Sequence, residues 1–449
     1  MISTKPTSEG DRDVLTINNL TGRSLVLNRP KALNSLTHPM VQTIKRHLLE
    51  WRQSDLCDVV VMRSNSSKAF CAGGDVVEVS RAWKDGNHGA AMKFFQDEYQ
   101  MNHLVASYEK PLVALINGYT MGGGVGLSVH AAFRVATEAS VFAMPETKIG
   151  FFPDVGATFF LPRMDGQTGV YLGLTGQWLR GRDLLYAGIA THYVPSERLP
   201  MLEKRMQEIG TRDHQVVNQA IEEFAMQPEE GDKIEYSLAD LREAIDRCFR
   251  FNNMESIVEA LKQETEQKEW AEKTLETLGK MSPSSLKLTL EQLRNGQRLN
   301  IQQALGLELR LAEKRLGSKD MHEGIDALLI SKTGKPAWDP ASLESVDMRE
   351  LHKGYFEEPC ETPPIEFINH EVAFEKYPHS FGLPSEREIM DLVTGINPQA
   401  GSFGLKREEV VAFFERERAK KIGVAAKVNW VLNRKTREHK DSFVLEWIK

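Results

Sequence analysis

The chain has 449 residues, 63 acidic against 56 basic side chains and a net charge of -7, with 41% hydrophobic and 27% charged residues. That length suits a large buried core divided into two or three structural units, and the mild negative charge gives no reason to expect nucleic acid or an anionic membrane as the main partner. No apolar run approaches the roughly 18 residues needed to cross a bilayer, so the chain reads as soluble with no membrane partner. Along the chain, Val14 to Asn18 and Ser24 to Asn28 read as strands joined by a turn through Thr21 and Gly22. A helix follows from about Pro39 to Arg52, with Val41, Ile44, Leu48 and Leu49 on one face, then a strand at Val59 to Met62. A second helix, Ala91 to Ser107, leads to a buried strand at Leu112 to Ile116. The glycine-rich run Met121 to Gly126 opens a helix continuing through Val129 to Ala132, and strands follow at Phe133 to Thr137 and Val141 to Met144.

Beyond about Leu199 strands disappear, and segments from Glu203, Val217, Leu238, Glu255, Trp270, Ser284 and Ile301 all carry the spacing of amphipathic helices. Prolines 336, 340, 359, 363 and 364 mark an irregular connector rather than a packed element. The last stretch holds a charged helix near Lys406 to Lys421 and a basic end. Expected boundaries are therefore 1–199 for an α/β core, 200–345 for a helical region and 346–449 for a connector with a C-terminal extension. Cys57, Cys71, Cys248 and Cys360 form no CxxC pair, which argues against a zinc site or a disulfide framework and for a reducing compartment. The opening MISTKPTSEGDRD has neither an apolar signal core nor an Arg-rich amphipathic stretch, so any targeting segment is expected to be absent or removed before this numbering starts.

Three segments carry chemistry. Phe70-Cys71-Ala72-Gly73-Gly74-Asp75 follows a strand, and its paired glycines let the backbone turn sharply and present N–H groups. Read alone, it is only a tight turn. Met121-Gly122-Gly123-Gly124-Val125-Gly126 starts a helix, where unpaired N–H groups and the dipole favour developing negative charge. One donor from each loop, Gly74 and Gly123, makes an oxyanion hole for a thioester carbonyl. The run fits neither GxGxxG nor a phosphate loop. In Met144-Pro145-Glu146-Thr147-Lys148-Ile149-Gly150-Phe151-Phe152-Pro153-Asp154, Glu146 follows apolar residues whose desolvation adjusts a carboxylate toward acid/base work. Asp154 by itself reads as a helix N-cap. Beside an oxyanion hole, however, two carboxylates supply the parts for hydrolysis without Ser, Cys or metal.

The stretch from about Val26 to Arg163 resembles the crotonase superfamily, with FCAGGD as the coenzyme A and first oxyanion loop and MGGGVG as the second. More narrowly, GYTMGGGVGLSVHAAFRVATE with FAMPETKIGFFPDVGATFFLPR resembles the 3-hydroxyisobutyryl-CoA hydrolases of valine breakdown, over approximately the first 345 residues. The resemblance implies a ββα spiral core followed by a helical region, and Glu98 in FFQDEYQMN as a substrate-binding glutamate. It implies an acyl-CoA substrate held by Gly122, Gly123, Glu146 and Asp154, with coenzyme A against Lys31, Ala32, Ala72, Gly73, Gly74 and Asp75. No separate cofactor is implied, coenzyme A being part of the substrate. Hydratases of the superfamily carry a glutamate at the position of Gly126, so the water-addition pair is incomplete here and thioester cleavage is the implied reaction. The residues leave open whether Glu146 attacks directly or activates water, and whether the acyl group is 3-hydroxyisobutyryl or 3-hydroxypropionyl. The resemblance also implies a mitochondrial matrix location and admits a homo-oligomer.

Other signals read more plainly. Ser128 and His130 lack the GxSxG elbow and fit a packed helix face. His370-Glu371 does not complete HExxH, and no metal is expected. Phe151, Phe152, Phe159 and Phe160 read first as core and second as an acyl pocket. The alternative function is structural: relatives of these hydrolases occur in the mitochondrial small ribosomal particle, and from Lys406 onward basic residues outnumber acidic ones 12 to 7. Lys420, Lys421, Arg434, Lys435 and Arg437 partly cluster there, although a solvated helical tail explains the same charges.

Overall fold

The computed structural model describes residues 9–226, 234–401 and 404–448; the first eight residues, on which part of the targeting expectation falls, lie outside them. Val59, Val60, Val61 and Met62 are wholly buried, as are Val113, Phe133 and Val135. Strands covered on both faces are the mark of a parallel sheet between layers. They belong to a six-stranded sheet ordered β1 (Val14–Asn19), β2 (Gly22–Leu27), β3 (Val59–Ser64), β5 (Leu112–Ile116), β7 (Phe133–Ala136) and β10 (His192–Tyr193). Only the β1–β2 hairpin is antiparallel.

A second sheet interleaves with the first along the chain. It is ordered β4 (Ala69–Cys71), β6 (Tyr119–Met121), β8 (Val141–Ala143) and β9 (Leu179–Arg180). Each of β3, β5 and β7 is followed by a short strand of this small sheet and then by helical structure, which is the repeating turn of the expected α/β spiral. Helix His38–Gln53 starts where Thr37 accepts from the Met40 N–H at 3.4 Å, and it buries Val41, Ile44 and Leu48. A helical region extends from Leu199–Glu208 to Ile301–Leu316.

Four local expectations change. The glycine-rich helix covers only Gly123–Ser128, ending in Ser128, whose hydroxyl bonds back to the carbonyls of Gly124 and Val125. An additional helix, Val76–Lys84, is capped by Asp75. The proline-rich connector is packed and carries a helical stretch, Met348–His352 and Lys353–Glu357, and beyond it Asn369 is buried, accepts from Arg52 and donates to the Ser107 hydroxyl at 2.8 Å. Strands also return at the end as the hairpin β11 (Thr436–Glu438) and β12 (Leu445–Trp447), joining Arg407–Glu417 and Val424–Lys435 around Val410, Phe414, Val428 and Leu432.

Candidate active site

The three chemical segments leave the carboxyl ends of three adjacent parallel strands: β4 runs into Ala72-Gly73-Gly74, β6 into Gly122-Gly123, and β8 into Met144-Pro145-Glu146. Ligand sites in α/β sheets form at such strand ends. A parallel bridge between Leu36 and Gly74 uses the Leu36 N–H on the Gly73 carbonyl and the Asp75 N–H on the Leu36 carbonyl, both at 2.8 Å, and thereby spares the Gly74 N–H. Gly123 is the first residue of its helix, so its N–H has no partner one turn back. A Cβ on Gly123 would lie 3.1 Å from the Gly74 nitrogen, which sets the two donors side by side. Gly122 takes φ 45 and ψ -119, a conformation closed to residues with a side chain.

Carboxylates crowd these glycines. A side chain at Gly122 would meet Glu146 Oε1 at 2.9 Å, and one at Gly123 would meet Glu98 Oε1 at 2.6 Å. Glu98 descends from helix His88–Ala106, and Glu146 opens a short 3-10 turn. Both are buried, and Glu98 Oε1 and Glu146 Oε2 have no hydrogen-bond partner among the described residues. Burial, then Asp154, pushes Glu146 well above the usual carboxylate range; burial, then Asp154 and Glu308, does the same to Glu98. Asp154 is also buried and accepts from the Tyr99 hydroxyl at 2.7 Å. Burial pushes Asp154 up to about 7, against the opposing Tyr99 hydrogen bond. It is not a side-chain cap: the following helix, Ala157–Phe160, begins at Gly156 with no side-chain cap bond. Glu98, Glu146 and Asp154 are thus electrostatically linked around the paired N–H groups.

The coenzyme A candidates occupy one neighbourhood. Lys31 and Ala32 lie on the 3-10 turn Pro30–Ala32, and the Ala72 N–H donates to the Leu33 carbonyl at 3.0 Å. Wholly buried Asn34 ties the two loops, bonding the Ala69 and Phe70 carbonyls while accepting from the Arg29 N–H at 2.7 Å. The Asp75 carboxylate is committed to Arg29 at 3.0 Å and to its capping bond. Gly126 has no room for a glutamate: a Cβ there would lie 2.6 Å from Val155 Cβ and 2.7 Å from Asn102 Nδ2.

Sequence reasoning missed Tyr99, Asn102 and Glu308. Tyr99 stands next to Glu98 in FFQDEYQMN, and Asn102 is one turn further along, wholly buried with neither amide atom partnered among the described residues. Glu308 lies on the buried stripe Ile301, Ala304, Leu305, Glu308, Leu311, Ala312, so a carboxylate on an apolar face was its signal.

Ser128, His130 and the phenylalanine cluster are buried, as the sequence suggested. His130 is buried and bonded to Tyr377 and the Val155 carbonyl, and burial pushes it down to about 4. The four phenylalanines are core. Among the described residues no group of His, Cys, Asp or Glu is placed to hold a metal ion, and no helix is long and apolar enough to cross a membrane. The basic tail is turned largely inward: Lys421 pairs with Glu222, Arg434 with Glu243 at 2.8 Å, and Lys435 with Asp246 and Glu386 at 3.7 Å. Three of the five clustered cations are therefore already neutralised within the chain.

A spiral α/β core with two backbone donors side by side at adjacent strand ends is the architecture of an acyl-CoA enzyme. The chain belongs to the enoyl-CoA hydratase/isomerase family, whose model matches residues 22–356. It is 44% identical to the mitochondrial 3-hydroxyisobutyryl-CoA hydrolase of Danio rerio, over 73% of this chain and 85% of that protein, and 43% identical to that of Homo sapiens, over 74% and 85%. It is also 42% identical to small ribosomal subunit protein mS47 of Neurospora crassa, over 98% of this chain and 89% of that one. Among solved structures, a carnitinyl-CoA dehydratase from Mycobacterium thermoresistibile superposes with a TM-score of 0.72 at 34% identity, covering 80% of this chain and 99% of the other.

Proposed function

We propose that the protein hydrolyses the thioester of 3-hydroxyisobutyryl-CoA, or of 3-hydroxypropionyl-CoA, to coenzyme A and the free 3-hydroxy acid. The supporting observation is the buried Glu146 and Asp154 pair beside two free backbone donors, with Gly126 closed to the hydratase glutamate. The N–H groups of Gly74 and Gly123 bind the carbonyl oxygen and stabilise the charge that develops on it. Glu146 serves the carbonyl carbon as nucleophile or as base toward water; water supplies the oxygen of the acid and the sulfur leaves with a proton. Asp154, held by Tyr99 and poised near 7, exchanges protons at neutral pH. Glu98, whose carboxyl is pushed up by burial, accepts a hydrogen bond from the 3-hydroxyl at its unpartnered Oε1. Lys31, Ala32 and the Ala72–Gly74 backbone hold the coenzyme A moiety.

Identity to the mitochondrial hydrolases supports this reading and a mitochondrial location, within which we propose the matrix. The test is free-thiol release over a panel of short acyl-CoAs with and without a 3-hydroxyl; release from the hydroxylated esters alone is expected, and none from any would refute it. A second reading is favoured by the mS47 match, which runs through the C-terminal extension whereas the hydrolase matches cover about three quarters of the chain. Here the extension seats the protein on the mitochondrial small ribosomal subunit. With Lys421, Arg434 and Lys435 paired inward, that seat rests on shape more than on phosphate contacts. Cosedimentation with small-subunit RNA that persists at rising salt is expected, and recovery only in the soluble fraction would remove it.

A further inference from the structure

The loop carrying Asp154 is bent in a way its sequence resists. Val155 sits at φ 54, in the left-handed region that β-branched residues avoid, and such conformations persist only where the surroundings over-determine them. The surroundings here hold a single peptide group from both ends. The Val155 carbonyl accepts from His130 Nε2 at 2.7 Å, and the N–H of the same peptide, on Gly156, donates to Glu308 at 2.7 Å. Glu308 takes the Thr158 N–H as well, at 2.8 Å.

Because a carbonyl only accepts, His130 Nε2 must carry the proton, and Nδ1 must then accept. Its partner is the Tyr377 hydroxyl at 2.7 Å. Burial lowers His130 and raises Tyr377, so both stay neutral and the direction of the relay is fixed: Tyr377 O–H to His130, His130 N–H to Val155. Gly156 permits the close approach, since a Cβ there would lie 2.4 Å from His130 Cε1. Tyr377 lies beyond residues 22–356, the part matched by the family model, and its ring is fixed edge-on to Phe159 at 5.2 Å.

We infer that Tyr377, supplied by the C-terminal extension, is a positioning residue for the hydrolytic site, acting through His130 to hold the strained Val155–Gly156 peptide and with it the carboxylate of Asp154. This rests on the hydrolase reading above. The extension is then part of the enzyme rather than an appendage to it.

The test is Tyr377→Phe in the full chain, which keeps the ring against Phe159 and deletes only the donor. Expected is a kcat on 3-hydroxyisobutyryl-CoA lowered about tenfold with KM and the thermal midpoint nearly unchanged, because binding groups are untouched while Asp154 loses its fixed pose. The same substitution is repeated in a Val155→Gly background, where the left-handed conformation carries no side-chain penalty. There the loss should shrink to less than threefold. A Tyr377→Phe enzyme with wild-type kcat, or an equal loss in both backgrounds, overturns the inference. Absence of thiol release by wild type would instead sink the hydrolase reading, so the two failures are distinguishable.

Discussion

Asp154→Asn separates the catalytic use of this carboxylate from its effect on stability, and the two should move in opposite directions. The folded protein holds Asp154 at about 7, against an ordinary value of 3.8, mainly because burial disfavours its charged form. A carboxyl group raised on folding destabilises the native state once pH exceeds the unfolded value, and the penalty grows until the folded value is passed. At about 1.4 kcal/mol per unit, the shift corresponds to a penalty of about 2 kcal/mol at pH 5.5 and about 4 at pH 8. Asparagine has no such penalty, keeps an oxygen to accept from Tyr99, and relieves the charge that Asp154 imposes on Glu146. Thus Asp154→Asn should lose kcat by on the order of 10²-fold or more while resisting urea better than wild type. The advantage should be larger at pH 8 than at pH 5.5. Urea unfolding at both pH values, alongside thiol release, measures it. A variant that is less stable by the same amount at both pH values would refute the burial argument, and unchanged kcat would reduce Asp154 to a structural residue.

Glu146→Gln should abolish thiol release, by about 10³-fold or more, while coenzyme A ester binding by calorimetry stays within a few-fold, because the amide preserves shape but neither attacks nor takes a proton; near wild-type turnover would remove Glu146 from the mechanism. Wild type should cleave 3-hydroxyisobutyryl-CoA far faster than isobutyryl-CoA, and Glu98→Ala should shrink that ratio at least tenfold, since the unpartnered Glu98 oxygen disfavours an ester without a hydroxyl. Equal rates on the two esters with wild type would exclude that role. Gly126→Glu should give no hydration of crotonyl-CoA and lower the urea midpoint, overpacking costing about 1–3 kcal/mol where a Cβ meets Val155 at 2.6 Å. Hydratase activity appearing in that variant would show that the space is there after all.

What the sequence made legible was local. The strand Leu112–Ile116 and the helices His38–Gln53 and His88–Ala106 follow from unbroken apolar runs and 3.6-residue spacing, and all three appear nearly as expected. The terminal hairpin was not legible, because its strands Thr436–Glu438 and Leu445–Trp447 are three residues each and too short to display alternation. The connector misled for a related reason. Proline density reports the lack of repeating backbone hydrogen bonds, yet Asn369 and Val372 pack through bonds to Arg52, Ser107, His103 and Gln302 that no periodicity announces.

The same distinction explains the site. Glu98, Glu146 and the glycines stand inside short motifs whose chemistry depends on near neighbours, so the residues themselves carried the signal. Asp154 was ambiguous because a cap and a buried acid have the same sequence appearance; the Tyr99 hydroxyl, 55 positions away, separates them. Glu308 reaches the Asp154 loop across about 150 positions through two hydrogen bonds, and Tyr377 reaches His130 across 247 through one. A left-handed valine is the product of such bonds and not of its own preference, since its local conformational cost favours another backbone. Where local preference and observed geometry disagree, the difference must be supplied by distant residues, and at Val155 those residues come from the helical region and the C-terminal extension together.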